Sequence, residues 1–276
     1  MVVVHRLMNK KFMYKILNYI IKFDHQLSDT KFWELYRIND ISETSDCTFS
    51  EQLLSTSREN IAVLDTSQYS NVIVSRNGNG RLLSDSLFQN NILLANDDLE
   101  RDELTLMGVY SFLTAKKALM LHSSLISTKS NQGVMFLGVS GIGKTTQAEN
   151  WNKYRNAEII NGDRVFVKLC EDGLYAYGSP WHGSSPYCLN KRVPVRMMVF
   201  LEKAPENKLR KLSEVESLQA LTDAAFYPQR FPEGMEKVME VIDRLICDVP
   251  MYHLSCRPDE EAVALVEEEL NNIVNP

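Results

Sequence analysis

The spacing of apolar and polar positions changes along this chain, and the change divides it. Residues 13–23 (MYKILNYIIKF) mix β-branched, aromatic and polar side chains in a way that predicts one or two strands. A Ser/Thr/Asp-rich polar stretch follows at 38–57, and residues 58–95 read as further short strands. Among them, Val72-Ile73-Val74-Ser75-Arg76 runs into Asn77-Gly78-Asn79-Gly80, a strand entering a turn. From 102 to 119 the period lengthens to that of a helix, with Leu106, Tyr110 and Leu113 on one stripe. Residues 119–127 then form an apolar run, closed by polar residues 128–132 and answered by Val134-Met135-Phe136-Leu137, which predicts an antiparallel hairpin.

Beyond the hairpin, strand and helix signals alternate. Helices are expected at 146–154, from Ser213 onward, at 235–246 and at 259–274. Ser213-Glu214-Val215-Glu216 has capping-box spacing. Strands are expected at 157–161, 165–169, 174–177, 196–201 and 251–255. The fold class that follows is α/β of the α+β kind. A β-rich region, 1–100, precedes a mixed-sheet domain, 101–276.

Residues 138–145, Gly-Val-Ser-Gly-Ile-Gly-Lys-Thr, match G-x-x-x-x-G-K-[ST], the Walker A phosphate loop. Gly138, Gly141 and Gly143 allow the backbone to curl so that successive N–H groups face phosphate oxygens. Lys144 supplies a point charge for the outer phosphates, and the Thr145 hydroxyl is placed for magnesium. Ser140, Ile142 and Thr146 complete the set expected to touch the nucleotide, at the start of a helix whose dipole favours an anion. An apolar strand enters the loop and a helix leaves it, as the motif requires. ATP and Mg2+ are therefore the expected cofactors.

Composition narrows the partners. The chain has 276 residues, 44% hydrophobic and 24% charged, which suits an ordinary globular protein. A net charge of −6 argues against a nucleic-acid surface. No apolar run approaches the roughly 20 residues needed to span a bilayer, and no secretory cleavage pattern opens the chain. A cytoplasmic location with no membrane partner is the expectation. Met8 and Met13 are both candidate initiators. The five cysteines have no C-x-x-C spacing, so neither a zinc knuckle nor a disulfide framework is expected.

Magnesium needs a second protein oxygen beyond the loop hydroxyl. Asp163 and Glu202 each stand just past an apolar strand, and Asp163, preceded by Gly162, is the better placed. His122 lies on the hairpin strand that feeds the loop, within reach of the phosphates. The Gly/Ser/Pro-rich segment 178–185 carries Trp181 and His182, residue types suited to substrate contact on a loop. Arg257, before Pro258 and the last helix, is a candidate for a phosphate.

In this order, the motifs resemble the HPr kinase/phosphorylase catalytic domain and, through it, the phosphoenolpyruvate carboxykinase-like fold. The resemblance runs over roughly residues 118–270. It rests on the His-bearing strand Leu121-His122-Ser123-Ser124-Leu125-Ile126, the hairpin, the phosphate loop and Asn161-Gly162-Asp163-Arg164-Val165. It looks closest to the compact branch that includes the lasso-peptide tailoring kinases. The resemblance implies ATP-dependent phosphorylation of a serine hydroxyl on a peptide or small protein, a ribosomally made peptide precursor included. It further implies catalytic roles for Asp163, His122 and Lys144, metal binding by Thr145 and Asp163, and a homo-oligomer as a common state. A substrate-presenting role is expected of the N-terminal region.

Two positions depart from that family. Its adjacent Asp pair is Gly162-Asp163 here, and its Arg-Gly loop, tied to the reverse reaction, is replaced by Trp181-His182-Gly183. The alternatives are a small-molecule or carboxykinase-like enzyme and a nucleotide-dependent regulator without transferase activity. A transporter-type ATPase lacks its Leu-Ser-Gly-Gly-Gln signature here. A GTPase is opposed by Asn190-Lys191-Arg192-Val193, which has no aspartate in the specificity position.

Overall fold

The computed structural model describes residues 11–27, 30–40, 43–51, 67–228 and 231–274. The expected strands at 58–66, the end of the polar stretch at 52–57 and the candidate initiator Met8 lie outside the described residues. The chain is α+β and forms two compact units. One ends at Ala115 and also takes in Pro228 and Phe231; the other comprises Lys116–Tyr227 and the chain from Pro232 onward.

The first unit holds a six-stranded mixed sheet of β1 (Phe12–Ile16), β2 (Tyr19–Phe23), β3 (Cys47–Glu51), β4 (Asn71–Val74), β5 (Arg81–Ser84) and β6 (Asn90–Leu94), in the order β1-β2-β3-β6-β5-β4. A two-residue turn, Leu17-Asn18, joins β1 to β2 with both residues at positive φ, the twist that tight hairpins favour. β3 lies inside the stretch expected to be polar and irregular. Its alternation of buried Cys47 and Phe49 with half-buried Thr48 and Ser50 makes it a central strand, parallel to both β2 and β6. A one-turn helix, α1 (Thr30–Trp33), brings Trp33 edge-on to Tyr14 at 5.0 Å between ring centroids.

Helix α2 (Asp98–Thr114) starts earlier than its apolar stripe predicts, because the Asp97 carboxylate caps it by accepting from the Glu100 N–H at 2.8 Å. It also ends earlier, since Ala118 and Leu119 belong to the next strand. Leu104, Gly108, Val109 and Phe112 form its buried face, and Leu106 is only half-buried. Gly108 lets the helix approach the sheet, for a Cβ there would lie 2.7 Å from the Phe49 ring. These contacts place α2 in the first unit, so the division falls at Ala115/Lys116 and not at residue 100. Asp97→Ala is expected to cost about 1 kcal/mol of stability, the usual worth of an N-cap, measured by denaturant unfolding; an unchanged midpoint would show the cap to be dispensable.

The second unit is built on eight strands: β7 (Ala118–Ser127), β8 (Gly133–Leu137), β9 (Glu158–Asn161), β10 (Arg164–Cys170), β11 (Gly173–Tyr177), β12 (Arg192–Lys203), β13 (Lys208–Lys211) and β14 (Met251–Cys256). The order is β11-β10-β7-β8-β12-β14-β13, with β9 pairing β7. β12 is longer than the run 196–201 predicts because it serves three neighbours. Its first residues pair with β11, which closes the path β11-β10-β7-β8-β12 into a ring, and its last run beside β14. β8, β12 and β14 are mutually parallel. β7 and β8 form the expected antiparallel hairpin, turned at Asn131 with φ +58°.

Alternating side chains of these strands feed two cores. Helix α3 (Lys144–Arg155), through Ala148 and Trp151, and α6 (Glu260–Val274), through Ala262, Val263, Val266 and Leu270, pack with Val134, Phe136 and Val199. Helix α4 (Glu214–Ala224), through Leu221, and α5 (Pro232–Asp248), through Val238, Val241, Ile242 and Leu245, pack with Met135, Leu137 and Met198. The expected capping box at Ser213 and Glu216 is present. The cysteines are free thiols. Among the described residues no helix is long and apolar enough to cross a membrane.

Candidate functional site

The glycine-rich loop that matches the Walker A pattern leaves β8 at Gly138 and enters α3 at Lys144. Gly138, Gly141 and Gly143 sit at φ +137°, +76° and +120°, a backbone path that side chains resist. The Gln147 N–H donates to Gly143 O at 2.9 Å, so α3 is hydrogen-bonded from its first turn. The Ser124 hydroxyl of β7 donates to Lys144 O at 2.8 Å and ties the loop to the hairpin. Lys144 is 6% exposed, and its Nζ donates to Gly138 O and Val139 O at 3.0 and 3.1 Å. Burial lowers the pKa of its ammonium below the ordinary value, and the Asp163 carboxylate opposes that shift.

The second half of the site comes from strand register. β10 pairs with β7 so that Arg164 faces His122, while β9 pairs with the far end of β7. Gly162 and Asp163 span the break between β9 and β10, and the Ser123 N–H donates to Asp163 O at 2.9 Å. His122 Nε2 consequently stands 3.0 Å from Asp163 Oδ1. The hydrogen bond from His122 is the main reason that the Asp163 carboxyl titrates below its ordinary range, with the nearby charges of His122, Arg164 and Lys144 acting in the same direction and burial against it. Arg164 Nε lies 3.5 Å from Asp163 Oδ2, and its guanidinium covers the Phe226 ring at 5.5 Å.

His122, Asp163, Lys144 and Thr145 line one cleft of about 360 Å³, together with Ser140, Gly141, Gly143, Thr146, Gly162 and His182. Thr145 Oγ1 donates to Gly162 O at 3.3 Å, which leaves its lone pairs available to a cation. No group of three or more His, Cys, Asp or Glu among the described residues forms a metal cage.

Several residues outside the expected set build this cleft. Asn161 is fully buried; its Oδ1 accepts from the N–H groups of Asp163 and Arg164 at 2.9 and 3.0 Å, and its Nδ2 donates to Ser179 O at 2.9 Å. It shapes the turn that aims Asp163. Ser185 Oγ accepts from the Tyr187 N–H at 3.3 Å and fills the space beside Gly162. A Cβ on Gly162 would lie 1.9 Å from that hydroxyl oxygen. Gly183, at φ +60°, lets its loop press on Asp163, since a Cβ there would sit 2.6 Å from Oδ2. Only the Gly/Ser composition of 178–185 hinted at these contacts.

The remaining candidates divide. His182 is buried in the cleft, with Nδ1 hydrogen-bonded to Ser185 O. Trp181 does not line the cleft; its ring packs edge-on to Phe166 at 6.2 Å. The Arg257 guanidinium is held by Asp259 and Glu261, at 2.8 and 2.7 Å, so its charge is matched within its own loop and helix. Glu202 also stands apart, accepting from the Ser255 hydroxyl at 2.8 Å.

No protein-family model matches the chain, and no curated protein matches it. Among solved structures it is similar to the Hpr(Ser) kinase/phosphatase from Coxiella burnetii, with a TM-score of 0.34 and 12% identity over 55% of this chain and 88% of that one. A likeness of this size decides nothing about activity.

Proposed function

We propose that this chain is an ATP- and magnesium-dependent kinase that phosphorylates a serine hydroxyl of a peptide or small protein. The observation that carries the proposal is the His122–Asp163 pair, 3.0 Å apart, set in one cleft with Lys144 and Thr145 of the phosphate loop. Phosphoryl transfer needs chiefly alignment and neutralised charge. The loop N–H groups and Lys144 would hold the triphosphate. Thr145 and Asp163 would hold magnesium, which supplies charge neutralisation between the outer phosphates.

Asp163, a carboxylate ionised at neutral pH whose charge the His122 hydrogen bond stabilises further, would accept the hydrogen bond of the incoming hydroxyl and orient it. As the acceptor–phosphorus bond forms and the bond to the leaving diphosphate breaks, the hydroxyl proton passes to the His122–Asp163 pair. His182, Ser184 and Ser185 line the cleft beside Gly162 and Asp163, where the acceptor would enter. The motif order seen in the sequence points the same way, towards HPr kinase-like enzymes and their peptide-modifying branch. Cytoplasmic location and assembly as a homo-oligomer belong to the same reading.

A nucleotide-dependent switch without transfer is the second reading, favoured by Gly162. A second carboxylate has no room there while Ser185 occupies the space. The readings separate when the protein is incubated with Mg-ATP and serine peptides, especially those encoded beside its gene, and analysed by mass spectrometry. A gain of one phosphate on a peptide serine is expected. Transfer to metabolites alone would identify a small-molecule kinase, and nucleotide binding with transfer to no acceptor would identify the switch.

A further inference from the structure

A second cavity, of about 380 Å³, adjoins the phosphate loop and shares Gly141, Gly143 and Thr146 with the cleft just described. It opens where β8, β12 and β14 end. These three strands are parallel, and in sheets of this kind ligands gather outside the carboxyl ends of the strands. The loop after β8 is the phosphate loop. The segment after β12 contributes Ala204, and that after β14 contributes Arg257 and Pro258. The Ala204 N–H donates to Cys256 O at 3.1 Å, so the two segments form one wall.

The lining is mostly apolar, through Ile142, Leu201, Ala204 and Pro258, and therefore unlike the phosphate cleft. Of its polar side chains, Thr146, Lys203 and Arg257 are exposed at the mouth and Gln147 is buried. Gln147, on the second turn of α3, is 3% exposed; its Nε2 donates to Cys256 Sγ at 3.3 Å, while its Oε1 is buried with no partner among the described residues. A buried amide oxygen without a donor is costly, and such groups are ordinarily satisfied. A flat ring bearing an amino group, inserted between the apolar walls, would supply that donor.

We infer that this cavity takes the base of the donor nucleotide, and that Gln147 Oε1 selects a base with an exocyclic amino group, adenine in particular. The inference rests on the reading of the loop as a triphosphate site, since the shared residues place a base here only when phosphates occupy the loop. Arg257 then forms part of the rim, its charge already matched by Asp259 and Glu261, and contacts no phosphate.

The test is a set of calorimetric titrations, in magnesium, with ATP, ITP and inorganic tripolyphosphate. Wild type, Ala204→Trp and Gln147→Leu are compared, with thermal melts to confirm folding. Wild type is expected to bind ATP about tenfold more tightly than ITP, the effect of one lost buried hydrogen bond. Ala204→Trp, which fills the cavity, should reduce ATP affinity to that of tripolyphosphate and leave tripolyphosphate binding unchanged. Gln147→Leu should abolish the preference for ATP over ITP.

Tripolyphosphate binding together with ATP affinity untouched by Ala204→Trp overturns this inference and leaves the phosphate loop assignment standing. An ITP preference in wild type overturns the selection by Gln147. If neither ATP nor tripolyphosphate binds, the nucleotide reading fails and this one with it. Should Ala204→Trp not fold, Pro258→Trp fills the same cavity from the segment after β14 and is judged by the same two affinities.

Discussion

Replacing Asp163 by Asn is expected to slow phosphoryl transfer about a thousandfold while changing ATP affinity by no more than about threefold, the range that a lost charged acceptor at a reacting hydroxyl covers. Asparagine keeps the shape and can still meet His122, so the cleft persists, but it offers no negative charge to the hydroxyl or to magnesium. Single-turnover kinetics with the peptide found by mass spectrometry, beside ATP titrations, separate the two effects. Transfer at the wild-type rate would sink the assignment. The same variant reports on acid stability. The Asp163 carboxyl titrates below its ordinary value of 3.8, chiefly because His122 donates to it, so its contribution to stability is complete above that value and fades as pH falls through the folded-state pKa. The stability difference between wild type and Asp163→Asn should therefore be constant near neutrality and narrow in acid, as thermal melts across pH would show.

The second large effect is expected at Gly162. A methyl group there would lie 1.9 Å from Ser185 Oγ and 2.5 Å from Ser185 Cβ, distances that require the 182–185 turn to move. That turn holds His182 through its hydrogen bond to Ser185 O, and Gly183 within it abuts the Asp163 carboxylate. Gly162→Ala should cost about 2 kcal/mol by overpacking and about a hundredfold in transfer through misplacement of Asp163. Ser185→Gly in the same chain should restore most of both, giving a coupling of at least about 1 kcal/mol in a double-mutant cycle. Independent, additive effects of the two substitutions would show that Ser185 is not the obstacle.

Gly162 also illustrates how far the sequence could be read. It was recognisable as a departure from the paired acids of the resembled family, but nothing in the residues around it revealed its occupant. Ser185 lies 23 positions further on, in a loop whose Trp181 and His182 suggest substrate contact but whose serines carry no sign of packing on Gly162. In the sequence Asn161 ends a predicted strand and opens the motif that carries Asp163; that it accepts from two successive N–H groups is a consequence of burial, which leaves those donors no water. The apolar stripe places the start of α2 four residues late because the cap, Asp97, lies outside it. Strand β3 does not show in the sequence because two buried residues, Cys47 and Phe49, carry a pattern too short to stand out from polar neighbours. Arg257 illustrates the opposite limit, since a guanidinium with two acidic partners four or fewer residues away was open to a local reading.

The path of the 138–145 loop was determined by the sequence alone. Its shape depends on backbone freedom at Gly138, Gly141 and Gly143, on Lys144 and on the flanking strand and helix, all encoded within about twenty consecutive residues. The tertiary structure alone decided what faces the loop. The register that sets Arg164 opposite His122 brings Asp163 to within 3.0 Å of the imidazole across some forty residues of chain. The parallel alignment of β8, β12 and β14 gathers three distant strand ends around Gln147. Local conformational preference is written in neighbouring residues, whereas distances between side chains far apart in sequence exist only once the strands have paired and the cores on both sides have closed.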